Sequence, residues 1–348
     1  EIRSARFTGR NTSLEATGSF TFGSRNPWNI VVRGELELSL FSILYPEIVT
    51  SGRASLNATV RGPLDQPLFG GRMELQNASI FLAEVPSGIE NANGVLFFDR
   101  NRATIERLTA QAGGGQLRLS GFVGIGGPEL LYRIQAEAEK VRVRYPEGVS
   151  TTLSGSVSFT GTSTRSLLAG TAIVERAAFN PRTDLGSLLA GIVKPVTTPV
   201  RVNPVLAGIQ FDIRVTSSPS LELQTSLAKD IQAEGDVRLR GSAAKPIVLG
   251  RVTVNQGEIQ FFGNKYTITR GDVSFYNPAR IEPVLDLDLE TRVRGVTVNL
   301  TFSGPMSKLN MTYRSDPPLQ SQEIIALLAV GRAPGSNPTQ AGTQGSAA

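Results

Sequence analysis

The chain has 348 residues, 36 of them Gly and 20 Pro, a formal charge of +5 with a pI near 9.7, and neither Cys nor His. Lacking cysteine, it has no disulfide and no thiolate metal site; lacking histidine, it has no Ser-His-Asp arrangement, no imidazole zinc site and no ordinary proton shuttle near neutral pH. A charge this small for the length, carried by Arg residues that alternate with apolar ones, argues against a nucleic-acid partner.

Gly and Pro spread along the whole chain favour many short strands and turns over helices. Trp28, in Asn26-Pro27-Trp28-Asn29, reads as a strand-end aromatic that anchors a turn. A unit of strand, Gly/Pro turn and strand then recurs: Gly62, Gly161 and Gly241 are followed at equal spacing by Gly71, Gly170 and Gly250, with Pro67, Ser166 and Pro246 between them. Apolar pairs flank each unit, Ala58/Val60 with Met73/Leu75, Val157/Phe159 with Ala172/Val174, and Val237/Leu239 with Val252/Val254. The units themselves are unevenly spaced, so no short solenoid period fits. Gly113-Gly114-Gly115 and Gly124-Ile125-Gly126-Gly127 lack a Walker lysine and the dinucleotide glycine spacing, and read as hairpin or strand-end glycines. Asp184 is placed to cap a short helix over Leu185–Val193, ended by Lys194-Pro195.

The C-terminal third is the clearest. Leu285/Leu287/Leu289 alternate with Asp286/Asp288/Glu290, and Val296/Val298/Leu300/Phe302 with Thr297/Asn299/Thr301, so each strand has one greasy and one wet face. The spacing then predicts a helix over Pro317–Val330, capped by Asp316 and terminated at Gly331, with Ile324, Leu327 and Leu328 on one face against the last strands. The composition beyond Arg332 predicts a disordered tail. The apolar runs Leu188–Val193 and Ile324–Val330 are too short to span a bilayer, and with no signal-peptide pattern at Glu1 the sequence reads as a soluble fragment of a longer protein.

Asp286, Asp288 and Glu290 form a row about 7 Å apart per step, a candidate for calcium or for the acid and base of a polysaccharide enzyme. Their strict alternation with leucines is what the solvent face of any amphipathic strand shows, and that reading is adopted. What remains is a very large aliphatic face without a polar constellation. Alternation alone fits a sandwich or barrel core.

The order of Gly257–Ile268, Gly271–Pro278, Ile281–Glu290, Val296–Phe302, Ser315-Asp316-Pro317-Pro318-Leu319 and Glu323–Arg332 resembles the C-terminal domain of the TamB family, translocation and assembly module subunits related to AsmA-like and bridge-like lipid transfer proteins. The resemblance is specific over this segment and repeat-like upstream. It implies an all-β fold, an elongated, curved, U-shaped sheet (β-taco) with an open hydrophobic groove and one or two short helices. The implied divisions are 1–150 and 151–255, both β-taco, the second with a short helix near 185–194; then 256–332, the C-terminal β segment with its capping helix; then the tail 333–348. The groove would be lined by Val237, Leu239, Val252, Val254, Ile259, Phe261, Leu285, Leu287, Leu289, Val296, Val298, Leu300, Phe302, Leu309 and Met311. The resemblance further implies a periplasmic, non-enzymatic lipid conduit without catalytic residue, metal or cofactor. Its partners would be phospholipids, a TamA/BamA-like outer-membrane barrel and, through an N-terminal anchor, the inner membrane. Transferring two acyl chains through water, with roughly thirty methylenes at about 0.8 kcal/mol each, is a barrier on the order of 20 kcal/mol that an aliphatic trough would offset. Two other readings remain: a scaffold or chaperone for outer-membrane β-barrels, and a β-solenoid carbohydrate-active enzyme or adhesin.

Overall fold

Runs that alternate one apolar with one polar side chain recur from Ala5 to Tyr313, each bounded by glycine, proline or asparagine, and each becomes a strand. A computed structural model describes residues 2–23, 27–44, 48–63, 66–82, 87–125, 127, 129–144, 149–179, 208–225, 228–242, 244–261 and 263–330. The helix expected over Leu185–Val193, the terminator Gly331 and the tail 333–348 lie outside the described residues.

The strands are β1 (Ile2–Gly9), β2 (Thr12–Phe20), β3 (Trp28–Glu37), β4 (Ile48–Gly62), β5 (Leu68–Leu82), β6 (Ile89–Arg100), β7 (Arg102–Ala112), β8 (Gly115–Gly124), β9 (Leu131–Val143), β10 (Val149–Thr162), β11 (Ser166–Phe179), β12 (Ile209–Thr225), β13 (Ala228–Ser242), β14 (Pro246–Phe261), β15 (Asn264–Phe275), β16 (Pro283–Val293), β17 (Val296–Pro305) and β18 (Asn310–Asp316). Each pairs with the next, so the chain lays down one sheet in sequence order, with β1 and β18 at its two edges. Every pairing is antiparallel except β11 with β12, which is parallel. A parallel neighbour needs a long return connection, and the chain between Phe179 and Ile209 provides it. The sheet is open and curled, and its eighteen strands at about 4.8 Å spacing extend roughly 80 Å in the stacking direction.

The three Gly/Pro units are the β4–β5, β10–β11 and β13–β14 hairpins. Two other hairpins close with two-residue loops in which both residues have positive φ, Gly113-Gly114 (55° and 85°) and Arg294-Gly295 (51° and 85°). Such loops match the twist of the strands they join.

Curling has a local cause. From β4 to β16 the pairings shift register towards the same end of the sheet, between Ser51 and Arg53, Leu75 and Ala78, Glu90 and Asn93, Ile105 and Leu108, Lys229 and Gln232, and Ile268 and Arg270. Each shift is a bulge that bends its strand and increases local twist, and aligned across many strands they crease the sheet. Asn77, Asn91, Lys140 and Asp230 take positive φ there. Side chains satisfy backbone groups along the crease: Asn77 N donates to Asn93 Oδ1 (2.9 Å), Lys140 N to Ser154 Oγ (2.9 Å) and Gly235 N to Ser217 Oγ (2.9 Å).

Among the described residues, short helical pieces complete the fold, including a 3-10 turn over Met306–Lys308 between β17 and β18. A 3-10 turn over Leu38–Leu40 leads into α1 (Phe41–Leu44), and α2 covers Ser321–Val330. The start of α2 corrects the expectation of a helix from Pro317 capped by Asp316. Asp316 remains in β18 opposite Thr297, and Pro318 biases the residue before it towards extended backbone. Glu323 Oε2 instead accepts from Gln320 N at 2.9 Å, the reach-back half of a capping box.

Gly250 has φ +130°, and a Cβ there would lie 2.2 Å from the Asp236 carbonyl oxygen on the neighbouring strand; Gly263 has φ +75° with nothing within 4 Å. Gly250→Ala should therefore destabilise the sheet by about 3 kcal/mol and Gly263→Ala by only about 1 kcal/mol, compared by thermal or urea unfolding.

Candidate functional site

Residues directly opposite one another on paired strands share a face, so the registers trace a single apolar surface through the molecule. Leu108 faces Leu119, Leu119 faces Ala136, Ala136 faces Val157, Val157 faces Gly170, Gly170 faces Ile213, Ile213 faces Leu239 and Leu239 faces Val248. The surface continues through Val252 and Val273 to Leu285, and through Leu287, Phe302 and Met311 or Leu289, Leu300 and Tyr313 to the β18 edge. Val237, Leu239, Val252, Val254, Ile259, Leu285, Leu287, Leu289, Val296, Val298, Leu300, Phe302 and Met311 all fall on this face, and Phe261 is the last residue of β14.

Burial divides that face into an open middle and closed flanks. From β9 to β14, Ile134, Val157, Phe159, Leu168, Phe211, Val215, Val237, Leu239, Val252 and Val254 are only half-buried, where a sandwich core would bury them. Their strand neighbours Arg133, Gln135, Glu137, Asp236, Arg238 and Arg240 are exposed on the other side.

Towards the C-terminal edge, Ile324 (3% exposed) and Leu327 (0%) of α2 join Tyr266, Ile268, Leu289, Val296, Val298 (0%), Leu300 and Phe302 in one buried cluster, with Leu328 and Leu309 packed at its margin. Asn264 Nδ2 donates to the Leu328 carbonyl at 2.8 Å, fixing the end of the helix. Five expected lining residues, Leu289, Val296, Val298, Leu300 and Phe302, are thus sealed beneath α2 instead of facing an open groove, while Met311 at the edge is 44% exposed. Alternation reports which face a residue occupies, not what lies on top of it.

A second buried cluster, which the alternation does not reveal, lies towards the other edge. Leu38 of the 3-10 turn packs with Ala54, Ala78, Ala92, Ile105, Leu108 and Ala110 over β4–β7. The small residues are the signal: four alanines leave room for a helical turn to settle on the sheet.

The opposite face is polar and paired. Arg214 Nη2 lies 2.6 Å from Asp236 Oδ2, and Arg238 Nε lies 2.6 Å from Asp212 Oδ1. Hydrogen bonds from these guanidinium groups hold both carboxyls below the usual carboxylate range. Asp286, Asp288 and Glu290 also lie on this side. Asp288 Oδ1 accepts from Thr301 Oγ1 at 2.6 Å, Asp286 is 3.8 Å from Arg270 Nη2, and Glu290 is exposed. Among the described residues no group of carboxylates has the arrangement of a metal site.

A family model described as the TamB C-terminal domain matches residues 106–348. No curated protein matches the chain.

The open and sealed parts of the apolar face should respond differently to charge. Leu239→Arg sits where a guanidinium can reach water and should leave the melting temperature within a few degrees of wild type. Val298→Asp buries a carboxylate beneath α2 and should cost about 3 kcal/mol or more, read by thermal unfolding with circular dichroism.

Proposed function

This chain belongs to the TamB C-terminal domain family, and on that premise we propose that it is a non-enzymatic conduit that carries phospholipid acyl chains along its apolar face between the inner and outer membranes. The family is associated with the cell envelope and works with TamA in outer-membrane assembly. In the proposed reading the periplasm is the compartment and a TamA-like barrel the outer-membrane partner. In the same reading an N-terminal anchor ties the protein to the inner membrane. Among the described residues no helix is long and apolar enough to cross a membrane.

The observation that carries the reading is the half-buried aliphatic row from Ile134 to Val254. Leaving so much apolar surface in water costs about 25 cal/mol per Å², and a mobile acyl chain is a ligand that covers such a surface without demanding a polar partner. No tight pocket is required. A lipid held diffusely can slide, whereas one held by a strong local site would be trapped.

One observation favours the scaffold reading as a runner-up: β18 is an edge strand, and Met311, Thr312 and Arg314 along it are exposed. An edge of this kind can template another strand. Crosslinks from Thr312 to unfolded barrel precursors would support it.

The conduit reading is tested by isolating the protein from bacterial envelopes and by following transfer of labelled phospholipid between vesicles. Phospholipid should appear in the mass spectrum of the native protein. Val215→Arg combined with Leu239→Arg should lower transfer about tenfold or more with the fold intact. Absence of bound lipid, together with transfer unaffected by both substitutions, would contradict the proposal.

A further inference from the structure

The two ends of the curled strands form two lips along the trough, and their side chains differ. One lip carries the β4–β5, β6–β7, β10–β11, β13–β14, β15–β16 and β17–β18 turns. Arg61, Arg100, Arg165, Lys245 and Lys308 stand exposed there, one to each of five turns, and none of them makes an ion pair among the described residues. Carboxylates on this lip are fewer than the cations: Asp99 is exposed beside Arg100, Glu282 is held by Arg280 (2.8 Å), Asn277 (3.0 Å) and Ser307 (2.8 Å), and Glu129 accepts from Thr164 (3.1 Å). On the other lip, Arg10, Arg142, Arg144 and Arg294 are interleaved with exposed Glu90, Glu139, Asp230 and Asp316.

A second observation sits just inside the cationic lip. The apolar face ends there in half-buried aromatic rings, Phe69, Phe98, Tyr132, Phe159, Phe211 and Phe275, and Tyr132 stacks on Phe159 at 5.4 Å between centroids. Moving outward across the trough, the chain thus presents aliphatic carbon, then aromatic rings, then cations. A phospholipid presents the matching order of acyl chain, glycerol ester and phosphate, and aromatic side chains prefer that intermediate zone.

We infer that this lip is a headgroup rail, on which Arg61, Arg100, Arg165, Lys245 and Lys308 meet the phosphates of lipids whose acyl chains lie in the trough, and that it favours lipids of net negative headgroup. The inference rests on the conduit reading. The cationic turns stand two to four strand widths apart, about 10–20 Å, so a headgroup meets them one after another as its lipid slides along the trough. Each contact is weak and solvent-exposed, which suits passage and makes the preference sensitive to salt.

The test is vesicle-to-vesicle transfer of fluorescent phosphatidylglycerol and phosphatidylcholine. One variant carries Arg100→Gln, Arg165→Gln, Lys245→Gln and Lys308→Gln. A control carries Arg10→Gln, Arg142→Gln, Arg144→Gln and Arg294→Gln, the same loss of charge on the other lip. Wild type should prefer phosphatidylglycerol. The first variant should lose that preference by about tenfold, the control should keep it, and in wild type it should fade as salt is raised from about 0.1 M to 1 M. An equal loss in both variants, or equal transfer of the two lipids by wild type, overturns the rail while leaving the conduit. No transfer of either lipid by wild type overturns the conduit itself. Loss of an acidic protein partner in the first variant, with lipid preference unchanged, assigns the lip to that partner and overturns the rail.

Discussion

Everything in this molecule follows from one constraint: a single sheet, laid down strand after strand, has one apolar face, and over its middle nothing in the described chain covers it. A flat sheet of that kind would aggregate face to face or edge to edge. Curling brings the apolar side chains towards one another and leaves the charged ones outside. The crease of bulges supplies the bend, and glycines such as Gly170 and Gly250, whose added Cβ would meet the backbone of the next strand at 2.2 Å, let neighbouring strands coil where any side chain would intrude. The ends are treated separately from the middle. Leu38 settles on an alanine floor near one edge, and Ile324 and Leu327 of α2 close the other.

The division between sealed ends and a half-buried middle is what connects the fold to a function. A core that is buried throughout stores its hydrophobic free energy in folding alone. Here the row through Val157, Val215 and Leu239 remains partly wet, so part of that free energy is still available to a ligand. Polar groups are distributed accordingly. Charged groups project from the far side of the sheet, where Asp212 pairs with Arg238 and Asp236 with Arg214. α2 is apolar on nearly every side, with Ile325 51% exposed while Ile324 and Leu327 are buried, so it closes the trough with the same kind of surface that lines it.

Much of the fold was legible in the sequence because period-two alternation maps directly onto sheet faces. Leu285 to Leu289 and Val296 to Phe302 share a face as the pattern requires, the three Gly/Pro units are hairpins, and Ile324 with Leu327 meets the last strands. Other features were hidden for identifiable reasons. The bulges insert a residue without changing composition, and their only trace is asparagine within strands, at Asn77 and Asn91, where positive φ is tolerated. The parallel seam between β11 and β12 depends on how the chain returns after Phe179, which no local pattern encodes. The first turn of α2 begins later than the local pattern of Asp316 and Pro317 indicates, because pairing of Asp316 with Thr297 overrides that cap. The sealing of Val298 is a tertiary fact: alternation assigned its face correctly and could not assign its cover.

The most direct measurement places a tryptophan on each side of the open strand β13, at Leu239 and at Arg238, in a chain whose Trp28 is replaced by Phe, and adds phospholipids brominated along their acyl chains. Leu239 is half-buried on the apolar face and Arg238 is exposed on the polar one. The account requires strong quenching of the Leu239→Trp fluorescence and little at Arg238→Trp. Equal quenching at both positions, or none at Leu239→Trp while lipid is bound, would contradict it.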